Sequence, residues 1–156
     1  MDITHFDSCP TVQGPRALES TESPRLVMQS KGTKICGPCC VAMALNISVH
    51  KALELMGSKG GGTKTRQLNN ALGMFYCTTG GLRTVTKYGP QFPERGIMKI
   101  VHNPKESHWV LKWNDFIYDP SWGAFYYKNW YTSVNTHTTS KVTSYLELKN
   151  KSYDDR

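Results

Sequence analysis

The stretch HWVLKWNDFIYD, residues 108–119, decides how the second half of the chain folds. Two short runs of mostly β-branched, aromatic and apolar residues flank the pair Asn114-Asp115, and such a pair favours a tight turn. With Asn114-Asp115 as a two-residue loop, Trp113 pairs with Phe116 and the two runs become antiparallel strands. The stretch therefore predicts a β-hairpin.

The register of this hairpin brings a histidine and an acid together. It places His108 opposite Ser121 and Val110 opposite Asp119, so that His108 and Asp119 are diagonal neighbours on one face. The Cα atoms of such neighbours lie about 7–8 Å apart, close enough for their side chains to meet. An acid in this position can hold an imidazole in the tautomer that accepts a proton. The prediction depends on register, because a one-residue bulge would turn Asp119 to the other face.

The rest of the chain divides into a helical and a strand-forming half. Helices are predicted for three segments: 37–46, the residues between Ser48 and Gly57, and the residues that follow Thr63. Strands are predicted for four segments: 97–102, 108–113, 116–119 and about 142–148. Helices first and antiparallel strands second indicate an α+β fold.

The length of 156 residues fits one domain with a substantial core. We predict an irregular N-terminal arm at 1–27, a folded domain at 28–150 and a polar tail at 151–156. The arm is poor in apolar residues and rich in turn formers, so it either wraps the domain or stays loose.

Composition suggests a compartment and limits the partners. The N-terminus has neither a basic nor an apolar signal region, and no apolar run approaches the roughly 20 residues that span a bilayer. We therefore expect the cytoplasm of the producing or host cell, where all five cysteines are thiols. The net charge of +7 is spread along the chain without a basic block, so we expect neither a specific nucleic-acid partner nor a membrane.

Cys36 lies in the kind of segment that a nucleophilic thiol needs. A thiolate is favoured at a helix N-terminus beside an imidazole, because the helix dipole and an imidazolium both stabilise the anion. Cys36 directly precedes Gly37, which lets the backbone approach a substrate, and Pro38, which suits the first turn of a helix. Cys39 and Cys40 follow in that turn, where small apolar residues pack.

The candidate base is His108, since the hairpin supplies it with Asp119. His102 is the rival base, but it ends a strand and has no comparable acid downstream, so we interpret it as a surface residue. The remaining histidines, His5, His50 and His137, have no such context.

The following residues carry a family resemblance: Gln29, Cys36-Gly37-Pro38, Ala42-Met43-Ala44-Leu45, Thr65, Leu68, Leu72, His108-Trp109-Val110, Tyr118-Asp119-Pro120 and Gly123. Together, over residues 28–123, they resemble papain-like cysteine peptidases of the bacterial type, especially the leader peptidase domains that cut after double glycines. The interval from Gln29 to Cys36 is one residue longer than in that family. We do not carry over the leader-processing role of relatives that are fused to exporters.

The resemblance implies a fold and a mechanism. It implies a papain-like domain in which N-terminal helices, with the nucleophile at a helix N-terminus, pack on an antiparallel sheet. Cys36 is then the nucleophile, His108 the base and Asp119 the acid that orients it. Gln29 donates to the oxyanion, together with the backbone N–H of Cys36. A protein or peptide is the implied substrate, with no cofactor and no metal, and the biological setting would suit a processing peptidase, an effector or a viral protein.

A thioredoxin-like dithiol oxidoreductase is the first alternative, because Cys36-Gly37-Pro38-Cys39 also matches that family's motif. Its chemistry needs both thiols at the start of a helix that follows a buried central strand. Residues 29–35 are too polar for such a strand. A structural zinc site is less favoured, because Cys36 and Cys39 have ligand spacing but no second pair matches them.

A catalytically inactive papain-like binding module is the third alternative. Its basis is a group of aromatic residues just after Asp119: Trp122, Phe125, Tyr126, Tyr127, Trp130 and Tyr131. We expect most of them to belong to the core and the sheet covering, and two or three to line a cleft beside the catalytic pair.

Overall fold

A computed structural model describes residues 14–78, 83–84, 92–103, 106–130 and 141–151. The elements, in chain order, are helices α1 (Cys36–Leu45), α2 (Val49–Met56) and α3 (Thr65–Leu72), and strands β1 (Tyr76–Cys77), β2 (Arg83–Thr84), β3 (Arg95–Asn103), β4 (Glu106–Trp113), β5 (Phe116–Asp119), β6 (Gly123–Tyr126), β7 (Lys141–Glu147) and β8 (Lys149–Asn150). A helical turn at 127–130 follows β6. Helices lead and antiparallel strands follow, as the sequence predicts for an α+β chain.

Helix α1 is the centre of the molecule. All of its residues are buried, and it contacts α2 and α3 on one side and strands β4 and β5 on the other. A helix that is apolar on every side, as this one is, has to be enclosed by the rest of the protein. It ends at Asn46, which adopts the left-handed conformation at φ 54°.

The two other helices start and stop at local signals. The Ser48 hydroxyl accepts a hydrogen bond from the N–H of Lys51 at the start of α2, and Gly57 ends that helix at φ 66°. At the start of α3 the Gln67 side chain accepts from the N–H of Lys64 at 2.8 Å. These ends agree with the predicted boundaries within two residues.

The strands form two antiparallel sheets. Six of them lie in the order β2-β7-β3-β4-β5-β6, and β1 pairs with β8 in a separate two-stranded sheet. Strands β3, β4, β5 and β7 coincide with the four predicted strands within two residues at every end. The short strands β1, β2, β6 and β8 are not among the predicted elements, because two to four residues carry no readable alternation.

The hairpin register is confirmed. Trp113 pairs with Phe116, and Leu111 pairs with Tyr118, as the two-residue loop requires. Asn114 takes φ 54° in that loop, a conformation that asparagine tolerates better than most residues. The same offset, extended by one pair, sets Val110 against Asp119.

Described residues of the arm lie against the domain. Residues 14–35 contain no helix or strand, yet Leu18 and Val27 are buried. The indole N–H of Trp113 donates to the Glu22 carbonyl at 3.0 Å, and the Tyr76 hydroxyl donates to the Ala44 carbonyl at 2.6 Å while accepting from the N–H of Leu18 at 2.8 Å. The described part of the arm therefore wraps the domain, whereas the division at residue 27 stays a prediction.

The aromatic group after Asp119 differs from the expectation. Of its described members, Trp130 is buried, but Trp122, Phe125 and Tyr126 are 76%, 41% and 62% exposed. Tyr127 is half-buried. The expectation of core membership is therefore wrong for these three, although Tyr126 stacks on Phe116 of the neighbouring strand, as a residue that covers the sheet would, with ring centroids 4.9 Å apart. Among the described strands, β6 lies at the end of the sheet order, beside β5. Tyr131 is outside the described residues.

In the described part of the chain, no single helix has both the length and the apolar character to cross a membrane; α1 and α2 would meet such a criterion only jointly, and they are bent at 104° to each other.

Candidate active site

Cys36 is the first residue of α1, with Ile35 as its N-cap. Isoleucine has no side-chain acceptor, so the N-cap residue gives no side-chain hydrogen bond to the N–H groups of this first turn. The N–H of Cys39 already bonds the Ile35 carbonyl at 3.0 Å, whereas the N–H groups of Cys36 and Gly37 precede the first intrahelical bond. The thiol therefore lies at a positive helix end whose first N–H donors point outwards.

Thr63 explains why glycine follows Cys36. A Cβ on Gly37 would overlap the Oγ1, Cβ and Cγ2 atoms of Thr63. The absence of a side chain at Gly37 lets the segment before α3 pack directly against the start of α1. The N-termini of α1 and α3 are neighbours for this reason.

His108 and Asp119 form a buried pair. Nε2 of His108 lies 2.7 Å from Oδ1 of Asp119, and the two side chains are only 11% and 5% exposed. The same Oδ1 accepts the backbone N–H of Ser121 at 2.8 Å, which closes an Asx turn over Pro120. The acid is thus held by its own turn as well as by the imidazole.

The thiol completes a row of three side chains. The Cys36 side chain hydrogen-bonds the His108 imidazole. Because Nε2 is engaged by Asp119, Nδ1 is the ring nitrogen that is left for the thiol. Burial by itself lowers the pKa of His108, but the hydrogen bonds to Asp119 and Cys36 and the attraction of both groups outweigh it and raise the pKa to about 9. The contacts of the row therefore favour the protonated form of the His108 ring.

Gln29 lies beside this row and is fixed at three points. Its backbone N–H donates to the Pro120 carbonyl at 2.8 Å, its Oε1 accepts the N–H of Ile35 at 3.1 Å, and its Nε2 donates to Ser121 Oγ at 2.6 Å. The bond from Ile35 sets the orientation of the amide, since a backbone N–H can bond only its oxygen. One of the two Nε2 hydrogens is used by Ser121.

Ser121 is a site residue that the sequence reasoning did not select. It links the acid to Gln29, through its N–H on one side and its hydroxyl on the other. The available signal was the Asp119-Pro120-Ser121 turn, because an aspartate commonly accepts the N–H two residues onward.

The other cysteines and histidines have different surroundings. Cys39 and Cys40 are fully buried thiols, and burial raises the pKa of Cys40 well above its usual value. His50 is exposed on α2, His102 has no described side chain, and His5 and His137 are outside the described residues. Among described residues, no three or more His, Cys, Asp or Glu side chains are grouped so as to hold a metal ion.

No model of a known protein family matches this chain, and no curated protein matches it in sequence.

Proposed function

We propose that this chain is a papain-like cysteine hydrolase, a peptidase or isopeptidase that cleaves amide bonds through a thioester intermediate. The observation that carries the proposal is the row Cys36–His108–Asp119, in which the thiol lies at a helix N-terminus. A buried helix that presents a thiol to an antiparallel sheet bearing the base and the acid also supports a papain-like fold.

The first half of the reaction acylates the enzyme. Nδ1 of His108 takes the proton of the Cys36 thiol, and the thiolate attacks the carbonyl carbon of the substrate to give a tetrahedral intermediate. The intermediate collapses as the C–N bond breaks, and His108 gives its proton to the leaving amine. Asp119 keeps the ring oriented throughout, because it stays hydrogen-bonded to Nε2.

The second half returns the enzyme to its starting state. His108 removes a proton from water, the resulting hydroxide attacks the thioester carbonyl, and the C–S bond breaks to release a carboxylic acid. In both halves negative charge develops on the carbonyl oxygen. The backbone N–H of Cys36 and the second Nε2 hydrogen of Gln29 are the donors that we assign to it.

Covalent labelling with an epoxide inhibitor of cysteine peptidases tests the class. Intact mass spectrometry should show one adduct, peptide mapping should locate it on Cys36, and His108→Ala should lose the adduct. The matched control is Cys39→Ser, which keeps labelling because Cys39 is buried in the helix. An adduct on Cys39, or none in the folded wild type, contradicts the proposal.

Two alternatives make different predictions. A dithiol oxidoreductase would form a stable Cys36–Cys39 disulfide and reduce insulin, but Cys39 is fully buried and the segment before Cys36 is not a strand. An inactive binding module would keep the fold and fail to label. The hydrogen-bonded row at the helix end favours the active enzyme over both.

We also propose a reducing compartment, the cytoplasm of the producing or host cell. All four described cysteines are thiols, and the mechanism needs Cys36 in that form.

A further inference from the structure

The entrance to the site has an unbalanced charge. Between Ser23 and Pro93 the only acidic residue is Glu54, which lies on α2 and pairs with Lys51 at 3.3 Å. The same span holds a group of exposed cations on the two loops that lead into α1 and α3 and in the first turn of α3. We call it the cationic rim, and it consists of Lys31, Lys34, Lys59, Lys64 and Arg66.

The first loop of the rim is held beside the nucleophile. Its two ends, Gln29 and Ile35, are joined by the hydrogen bond from the Ile35 N–H to the Gln29 amide. The loop between them therefore projects from the site as a short closed turn, tightened by a bond from the Thr33 N–H to the Ser30 carbonyl at 3.1 Å. Lys31 and Lys34 are carried on this turn, directly before Cys36.

The second loop, which leads into α3, packs against the start of α1. Thr63 packs where a side chain of Gly37 would lie, so Lys64 and the first turn of α3 are adjacent to the start of α1. Arg66 belongs to that turn and is exposed. Among described residues, no carboxylate forms an ion pair with any member of the rim.

The one acid of the site does not balance these cations. Asp119 is 3% exposed and is engaged by His108. A substrate that crosses the thiol therefore meets several cations and no exposed carboxylate from these two loops. Such a field raises the local concentration of anionic segments and speeds their encounter with the site.

We infer that the enzyme selects acidic peptide segments, with Asp or Glu within a few residues of the bond that it cleaves. This inference rests on the proposed function and names its substrate class. A peptide is favoured over a nucleic acid, because an amide is what the thiol cleaves and because the two rim loops contain no aromatic residue on which a base would stack. An extended peptide advances about 3.3 Å per residue, so only nearby acidic residues can reach the rim.

Binding to the Cys36→Ala protein tests the inference without catalysis. The probe is a rhodamine-labelled peptide that alternates Glu with Ala, compared with its Gln–Ala counterpart by fluorescence anisotropy at low salt. The acidic probe should bind more tightly, and Lys34→Gln/Lys64→Gln should raise its Kd about three- to tenfold. Added salt should remove the difference, because the rim is solvent-exposed.

Lys149→Gln is the matched control. It removes one positive charge, as Lys34→Gln or Lys64→Gln does singly, so it is compared with those two single variants. Lys149 is exposed on β8, where its Nζ lies 3.9 Å from Oε1 of Glu147. The neighbouring Leu148 N–H bonds the carbonyl of Arg95, which pairs with Trp113 at the hairpin end of β4. His108 lies five residues back along that strand, about 17 Å away. Lys149→Gln should therefore leave the Kd within about twofold of the parent value.

Cleavage of a proteome-derived peptide library separates the two proposals. Enrichment of Asp and Glu around the cut sites, lost in the rim variant, is the expected result. Cleavage without enrichment, or equal binding of both probes, overturns the inference and leaves the hydrolase intact. Tight binding of a single-stranded oligonucleotide in place of the acidic probe, weakened by the rim variant, also overturns it. Failure of epoxide labelling would instead reject the hydrolase.

Discussion

Asp119 uses one carboxylate oxygen for two partners, the His108 ring and the Ser121 N–H. The imidazole in turn contacts Cys36, so a proton change at any one of the three is felt by the others. This coupling raises the pKa of His108 to about 9 even though burial opposes the charge. Replacing a single polar atom of these three side chains should therefore shift the pH dependence of the reaction.

Asp119→Asn should lower the alkaline limit of activity. The thiolate–imidazolium form needs a protonated His108, so kcat/KM should fall as the pH rises through about 9 in the wild type. The amide removes the negative charge, lowers the pKa of His108 and moves that limit to lower pH, with a loss of about 10²- to 10⁴-fold in kcat. Titration of the His108 ring by NMR measures the same shift directly. An unchanged midpoint would show that Asp119 does not support the imidazolium.

Ser121→Ala should separate the hydrogen bond that Ser121 makes to Asp119 from the one that it makes to Gln29. Its backbone N–H still bonds Asp119, so the His108 midpoint should stay near the wild-type value. The lost hydroxyl removes one of the two hydrogen bonds that orient the Gln29 amide, and the bond from the Ile35 N–H remains. The kcat should therefore fall by about three- to tenfold, less than the roughly 10²-fold expected for Gln29→Ala. A steady-state comparison of both variants checks this order. Equal activity of Ser121→Ala and wild type would remove Ser121 from the positioning role.

At the scale of elements, the start of α1 is set by close packing. Cys36 needs the first turn of a helix, and that turn is in place because Thr63 and the segment before α3 lie against the bare Cα of Gly37. The hairpin of β4 and β5 supplies the other half of the site through its register. The site is thus a junction between one helix end and one hairpin.

Gly37→Ala should disturb that junction. The added methyl group overlaps Thr63, and relief of the overlap should cost about 1–3 kcal/mol in the free energy of unfolding and displace the thiol. Urea unfolding and the rate of epoxide labelling measure the two effects. The control is Gly62→Ala, where no atom lies within 4 Å of the new methyl group. Thr63→Gly in the Gly37→Ala background should restore part of the labelling rate; no restoration would exclude the overlap as the cause.

At the scale of the whole molecule, residues before α1 tie the helices to the sheet. The Tyr76 hydroxyl joins Leu18 to Ala44, and the Trp113 indole bonds Glu22. Tyr76 and Trp113 also contact each other edge to face, with ring centroids 6.3 Å apart. This part of the arm therefore belongs to the core that supports α1.

Tyr76→Phe should loosen the arm without changing the site. Burial raises the pKa of Tyr76 to about 12, so the hydroxyl is protonated at neutral pH and donates to Ala44. Its removal leaves a buried N–H and a buried carbonyl without this partner, at a cost of about 1–3 kcal/mol in the free energy of unfolding. Chemical denaturation measures the cost, and limited proteolysis should cut the arm sooner. Unchanged stability and proteolysis would mean that the bridge is not needed to hold the arm.

Local chemistry by itself determined much of this protein. Interactions between residues close in sequence account for three features: the caps at Ser48 and Gly57, the loop at Asn114-Asp115, and the register that pairs Trp113 with Phe116. The same register was enough to anticipate the contact between His108 and Asp119. Short-range hydrogen bonds and a two-residue side-chain period do not depend on the rest of the fold.

The remaining features depend on contacts between segments that are distant in sequence. The tertiary structure determined that Ser121 bonds Gln29, that the described arm is packed, and that Trp122 is exposed on the surface. It also decided the meeting of Cys36 with His108, which lie on separate halves of the chain. These contacts join distant segments. They form because the burial of α1 on all sides brings its N-terminus to the sheet. That burial depends on packing throughout the core, which no local sequence pattern specifies.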